Sequence, residues 1–293
     1  VVSASTRSRG SIVIPAHNEA AVIVRCLTAL HRDVDLAGVE VIVSCNGCTD
    51  RTADLARSTG YPVQVLETDE ASKVVALRRA DAVATAFPRI YLDADIVLEG
   101  RAALAVLDRL DVAEALAGRP PIRFDSSRAT WPVRSYYRAR SRVPTVMGAL
   151  WGAGVYALSA SARGRFGEFP DLVADDLFID GLFTQDERVI VDTAPVVVST
   201  PRRLGALLTI LRRTYRGNAQ QHDLAASRTG GAAEPAVGAS TSSSVARQVV
   251  LSARTPSSAI DATVYLAIAV IARIATALRP APRWERDDSS REV

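Results

Sequence analysis

Four short apolar runs, at residues 11–15, 39–44, 62–67 and 89–92, alternate with three stretches of helical periodicity, at 19–31, 50–58 and 72–85. In the first of these stretches Val22/Ile23, Cys26/Leu27 and Leu30 recur at the spacing that puts them on one helix face. This alternation leaves few folds open. Strands joined through helices pair in parallel, with right-handed crossovers, because a helix must carry the chain back to the start of the next strand. The expected class is therefore α/β, with a Rossmann-like, mainly parallel sheet flanked by helices. Ligands of such sheets collect at the carboxyl ends of the strands. Those ends hold the polar residues here: His17-Asn18-Glu19, Asn46 to Asp50, and Asp93-Ala94-Asp95.

The second half is less regular. A helix is expected over 99–117, then a short strand at 122–124 and a helix after Pro132 within the Arg- and aromatic-rich stretch 128–143. Gly148-Ala149-Leu150-Trp151-Gly152-Ala153-Gly154 marks a tight loop entering a strand at 155–158. Asp175-Asp176 heads a further helix, followed by a strand at 189–198 and an Arg-rich helix at 204–221. Residues 227–244 are small and polar and read as a mobile loop. In the last apolar block, 259–279, a helical projection puts Asp261, Tyr265, Arg273, Thr276 and Arg279 on one side. Val264, Ile268, Ile271, Ile274 and Leu278 take the remainder, an amphipathic pattern. Its uninterrupted apolar part is short of the ~20 residues of a membrane span. Packing on the protein's own core, a homodimer contact, and a peripheral membrane contact through flanking arginines all stay open. The division expected is a catalytic domain at 1–222 (halves 1–98 and 99–222), a linker at 223–258, and the amphipathic helix with a polar tail at 259–293.

Composition narrows the partners. A formal charge of +3 over 293 residues argues against a whole-surface nucleic-acid binder. Cys26, Cys45 and Cys48 do not form the pattern of a secreted disulfide scaffold, and no signal-like apolar core precedes the first strand, so a cytoplasmic location is expected, extending to the inner face of the membrane. Lys73 is the single lysine among 35 basic residues.

The chemistry starts at Asp93 and Asp95. Residues i and i+2 lie on one side of an extended chain, so both carboxylates can face one ligand. Two oxygen donors beside a phosphate suit Mg²⁺ or Mn²⁺. On its own, such a pair matches any Asp-rich turn. The order of motifs, however, resembles the inverting glycosyltransferases of family 2, which have the GT-A fold. The resemblance runs from Ser11 to about Gln221. It rests on Ile14-Pro15-Ala16-His17-Asn18-Glu19, Asn46-Gly47-Cys48-Thr49-Asp50-Arg51-Thr52, Ser72-Lys73 with Ala76-Leu77, Asp93-Ala94-Asp95, Gly152-Ala153-Gly154 and Asp175-Asp176.

The resemblance implies a nucleoside-diphosphate-sugar donor, UDP-sugar ahead of GDP- or dTDP-sugar, and a glycan or lipid-linked acceptor. It implies that Pro15, Ala16, Asn18, Glu19, Asn46, Asp50 and Lys73 line the base and ribose pocket, with Asp93 and Ala94 beside the donor and Asp95 and Asp93 on the metal. It also implies that Asp176, the second acid of the pair with Asp175, takes the proton of the acceptor hydroxyl. Where many members carry an Asp pair before the glycine of the second motif, this chain has Cys45-Asn46. Arg212 and Arg216 share a helix face and can match phosphate oxygens. Trp151, Gly152 and Gly154 are the expected acceptor wall, and His222 is a further metal-ligand candidate.

Each of these residues also has a plainer reading. Asn18 and Thr49-Asp50 are good helix caps, Asp175-Asp176 suits a helix N-terminus, and Lys73 suits a solvated surface. Cys45-x-x-Cys48 invites a zinc or redox role, although two thiols do not complete a zinc site. A sugar-nucleotide nucleotidyltransferase and a non-catalytic nucleotide-sugar-binding protein are the rival functions. The first lacks support, because its Gly-rich phosphate loop is not found after the first strand.

Overall fold

A computed structural model describes residues 8–112, 115–172, 174–228 and 242–278, with backbone only at 217–228, 242 and 243. The elements of the first half are β1 (Gly10–Ala16), α1 (Ile23–His31), β2 (Val39–Asn46), α2 (Thr52–Ser58), β3 (Gln64–Thr68), α3 (Lys73–Val83), β4 (Arg89–Leu92) and α4 (Gly100–Val112). Then follow β5 (Ala117–Arg119), β6 (Ile122–Asp125), α5 (Trp131–Arg140), α6 (Pro144–Met147), β7 (Val155–Leu158), α7 (Ala160–Arg163) and α8 (Asp175–Asp180). The described chain closes with β8 (Arg188–Ile190), β9 (Val196–Ser199), α9 (Leu204–Arg228), α10 (Ser242–Leu251) and α11 (Pro256–Leu278).

Seven strands form one sheet in the order β3-β2-β1-β4-β7-β5-β8. β1, β2, β3 and β4 pair in parallel, β7 runs antiparallel to both β4 and β5, and β5 pairs in parallel with β8. The sheet is thus mixed, with β7 alone reversed. Sequence follows position. β1, flanked on both sides, is buried along its whole length, whereas β3 at the edge alternates and keeps Gln64 and Glu67 outside. A strand covered on both faces needs a continuous apolar run, and an edge strand does not.

At its amino end β4 is fixed by a buried ion network. Asp81 of α3 pairs with Arg89 and, at 2.6 Å, with Arg163 of α7, and accepts the Tyr91 hydroxyl at 2.8 Å. Tyr91 also stacks on Tyr156 of β7 at 5.0 Å and meets the Phe169 ring edge-on at 5.3 Å. These contacts hold β4 against β7, which matters for the residues at the other end of β4.

Several boundaries differ from the sequence expectation. The helix expected over 99–117 is described from Gly100 to Val112, and Ala117 instead begins β5 between β7 and β8. The run 189–198 splits into β8 and β9, which belong to different sheets; β9 pairs with β6. Asp192 to Pro195 make the break, with turn-forming residues interrupting two apolar stretches that composition alone joins. The loop expected at 227–244 lies mostly outside the described residues, but helix α9 runs on to Arg228 and α10 occupies part of the expected linker.

Chain contacts divide the molecule into two units that interleave in sequence. The first comprises 1–121, 150–171 and 183–196 and contains the seven-stranded sheet; the second comprises 122–149, 172–182 and 197–293. Within the second, α11 packs on α5 and α9. Asp261 is buried there and accepts hydrogen bonds from Ser135 Oγ at 2.6 Å, Arg138 Nη2 at 2.6 Å and Arg142 Nη1 at 2.9 Å. Tyr265 stacks on Tyr136 at 4.6 Å, and Arg273 lies over the Tyr215 ring at 5.4 Å. The polar side of the helix, with Ile268 and Ala272, is therefore the packed side. Arg279 lies outside the described residues.

Candidate active site

Parallel pairing of β1 with β2 brings the loops that follow them side by side. Asn18 adopts φ 52°, a left-handed conformation that asparagine tolerates better than most residues. From there its Oδ1 accepts the backbone N–H of Thr49 at 2.7 Å and of Asp50 at 3.3 Å, and the Thr49 hydroxyl at 3.3 Å. His17 Nδ1 donates to the Asn46 carbonyl at 2.5 Å. Asp50 accepts the amides of Ala20 at 3.1 Å and Thr52 at 3.0 Å, and the Thr52 hydroxyl in turn accepts the amide of Glu19 at 2.8 Å.

The capping role open to Asn18 is thus not what the structure uses, whereas Asp50 does accept the first amide of α2 while also holding Ala20. α1 starts only at Ile23, α2 starts after Arg51, and neither N-cap residue caps with its own side chain. Both polar residues stitch one strand-end loop to the other. Cys48 belongs to the same seam: its thiol accepts the Asn18 amide at 3.4 Å and donates to the Ala16 carbonyl at 3.5 Å. Gly47, at φ 55°, lies so close to Ala71 that a Cβ would stand 2.7 Å from its side chain and 2.8 Å from its Cα. That turn requires glycine.

Asp93 follows directly on β4. Its amide donates to the Gly154 carbonyl at 2.8 Å, and its Oδ1 lies 2.7 Å from Lys73 Nζ. Lys73 opens α3 behind the N-cap Ser72, whose hydroxyl accepts the Val75 amide at 3.3 Å. The chain's single lysine is therefore an ion-pair partner of the Asp93 carboxylate, in a pair that stays partly open to solvent. Ala94 is buried, and the Asp95 carbonyl accepts Arg25 Nη2 at 3.1 Å. Cys26, on the buried face of α1, reports on both carboxylates: burial first, then Asp95 and Asp93, push its thiol up to about 12, while Arg25 pulls the other way.

Gly154 has φ 64°, and a Cβ there would meet Ile96 Cγ1 at 2.5 Å and Asp93 Oδ2 at 3.3 Å. Glycine leaves that space open beside the carboxylate. Two carboxylates with hard oxygen donors and this room fit a divalent cation that completes its shell from substrate phosphates. Trp151, half-buried, and Gly152, at φ 76°, precede Gly154 in the same loop.

The second unit carries the other candidates. Asp175 and Asp176 form the first turn of α8, with Asp175 buried and Asp176 partly exposed. Asp176 Oδ1 accepts the Leu177 amide at 2.8 Å. α8 packs against α9, which bears Arg212 and Arg216. The side chain of His222 is outside the described residues. The sequence gave no sign of Arg25, because its target is a backbone carbonyl some 70 positions away.

A family model described as glycosyl transferase family 2 matches residues 11–158, just over half the chain. The chain belongs to glycosyl transferase family 2. The match begins in β1 and ends with β7, so it takes in both strand-end loops, Lys73, Asp93, Asp95 and Gly154. No curated protein matches the sequence. Among solved structures, a mannosyltransferase of Pyrobaculum calidifontis, determined with GDP-mannose and Mn²⁺, is 19% identical, with a TM-score of 0.65 over 94% of this chain and 88% of that one. Glucosyl-3-phosphoglycerate synthase of Mycobacterium tuberculosis is 21% identical, with a TM-score of 0.49 over 71% and 80%. S. aureus TarS residues 1–349 are 15% identical, with a TM-score of 0.49 over 96% and 94%. The first likeness supports a shared glycosyltransferase fold for this family member.

Proposed function

We propose that this chain is a GT-A-type enzyme that transfers a sugar from a nucleoside-diphosphate sugar to an acceptor hydroxyl with inversion, in the synthesis of a polysaccharide or glycolipid. The observation that carries the reading is the seat of Asp93: an acid at the carboxyl end of β4, ion-paired to Lys73 and tied through its amide to Gly154. Parallel sheets bind ligands at that end. The stitched loops around Asn18, Asn46 and Asp50 give the donor base and ribose a preformed wall, with Pro15, Ala16 and Glu19 at its first turn.

Asp93 and Asp95 would hold Mg²⁺ or Mn²⁺, whose Lewis acidity neutralises charge on the departing diphosphate. Lys73 balances the Asp93 carboxylate, so the acid pair keeps a defined orientation before donor arrives. Arg212 and Arg216 bind diphosphate oxygens through their guanidinium forks. Asp176 accepts the proton of the acceptor hydroxyl as that oxygen attacks the anomeric carbon and the bond to the diphosphate breaks. General-base assistance of this kind contributes roughly 10²–10⁴ in rate. Trp151, Gly152 and Gly154 line the acceptor side. The Pyrobaculum mannosyltransferase supports a GDP-sugar beside the UDP-sugar that the sequence favoured.

The test is a donor screen with Mn²⁺, measuring release of nucleoside diphosphate from UDP-, GDP- and dTDP-sugars. Release that requires added divalent cation and disappears in Asp95→Ala is the expected result. Release of pyrophosphate from a nucleoside triphosphate and a sugar phosphate would replace this reading with nucleotidyl transfer.

A further inference from the structure

The C-terminal helix is packed the wrong way round for a core element. Ile260, Val264, Ala267, Ile271, Ile274 and Leu278 follow one another at intervals of four and three, which aligns them in a single stripe along α11. The structure leaves this stripe outside: Ile260 is 52% exposed, Ile271 48%, Ile274 55% and Leu278 75%. The adjoining side, with Asp261, Tyr265, Ile268 and Ala272, is buried. At its carboxyl half the stripe opens into a groove of about 540 Å³ shared with α9, where Leu208 and Arg212 face Ile271, Ile274 and Leu278. A continuous aliphatic strip of this kind on a protein surface marks something that covers it.

Charge decides what. Residues 197–216 and 244–278 carry Arg202, Arg203, Arg212, Arg213, Arg216, Arg247, Arg254 and Arg273, and a single acid, Asp261. That acid is buried and engaged by Arg138 and Arg142, so it offers nothing to a partner. Arg212 lines the groove itself, Arg254 immediately precedes α11, and Arg273 lies on its flank. Arg212, Arg254 and Arg273 are the ones beside the stripe, so two copies meeting on this face would bring arginines together. An anionic headgroup layer over acyl chains complements both features at once.

We propose that this face of α11, with the α9–α11 groove, docks the chain on an anionic bilayer surface, the helix lying in the headgroup layer. At 23 residues the helix is long and apolar enough to cross a membrane. It does not do so in this packing, because one side is occupied by α5 and α9 through Asp261 and Tyr265. A span would have to surrender that ion cluster to hydrocarbon. The proposal shares Arg212 with the donor-site reading but does not depend on it, since the apolar stripe tested below lies on α11 alone.

The experiment is co-sedimentation of the full chain with vesicles of phosphatidylcholine alone or with phosphatidylglycerol. Binding is expected to the mixed vesicles only, to weaken at about 1 M salt, where screening is nearly complete, and to fall at least tenfold in the double variant Ile271→Glu/Ile274→Glu. Both positions are exposed, so an unchanged circular dichroism spectrum and melting temperature will show that the variant is folded. A single conservative variant, Ile274→Gln, should give an intermediate loss. Absence of binding to mixed vesicles, or binding unaffected by the double variant, overturns the proposal. So does a concentration-dependent dimer that the same variant abolishes, since a second copy would then cover the face.

Discussion

Asp93 depends on a glycine about 60 positions away in the sequence. Gly154 holds φ 64° and leaves the space beside the Asp93 carboxylate empty. An alanine there costs about 1–2 kcal/mol for the left-handed backbone alone, and its methyl would press on Ile96 and Asp93. Gly154→Ala should therefore lower the melting temperature by a few degrees and reduce donor turnover more than the stability loss explains, read by calorimetry and nucleoside diphosphate release. Asp176→Asn should lower transfer by roughly 10²–10⁴ while donor binding, followed by calorimetric titration, stays near wild type. Normal transfer by the folded variant would remove Asp176 from the base role. The sequence singled out Asn18, Asn46 and Asp50, which the structure gathers in the loops after β1 and β2, and Lys73, Asp93 and Gly154, which it gathers at the end of β4. What the residues did was less legible. Asn18 and Asp50 are good cap residues by type, and only the parallel pairing of β1 with β2 turns them into a seam between loops.

At the scale of elements, α11 is held by one buried carboxylate. Breaking a fully buried ion pair costs about 3–5 kcal/mol, but Arg138 and Arg142 are each more than a third exposed and can rehydrate, so Asp261→Ala should cost nearer ~2 kcal/mol. The measurement is urea denaturation. Burial raises the affinity of Asp261 for a proton, yet the hydrogen bonds from Arg138, Ser135 and Arg142 outweigh it and hold the carboxyl below the usual aspartate range. A folded-state value below the unfolded one makes this contribution complete above the unfolded value of about 3.9 and lost as pH falls through the lower folded value. Acidification should thus loosen α11 from α5. Near-ultraviolet circular dichroism of the Tyr136–Tyr265 stack should report it, and Asp261→Asn should flatten that dependence. The sequence put Ile268 on the aliphatic side, whereas it is buried beside Asp261 and Tyr265, and it gave no sign of which side packs, because an aspartate and a tyrosine look like a solvent face until Ser135, Arg138, Arg142 and Tyr136 are brought against them.

For the molecule as a whole, ligand linkage offers the broadest check. A ligand bound only by the folded state stabilises it by about 2.7 kcal/mol at a hundredfold excess over Kd, which in a chain of this size raises the melting temperature by roughly 4–5 °C. Mn²⁺ together with UDP or GDP should produce such a shift, and chelation or Asp95→Ala should remove it. No shift with any nucleoside diphosphate would count against the donor site.

The pattern of apolar runs determined the parallel half of the sheet without help from tertiary contacts, because strand and helix periods are local properties of the chain. It also determined which acids stand at strand ends, since a turn residue after an apolar run is visible at short range. Tertiary structure decided the rest. It reversed β7 between β4 and β5, divided 189–198 between two sheets, gave the lone lysine to Asp93, and turned the aliphatic side of α11 outward. Those outcomes depend on partners tens of residues distant, and no local propensity encodes which distant partner a side chain will meet.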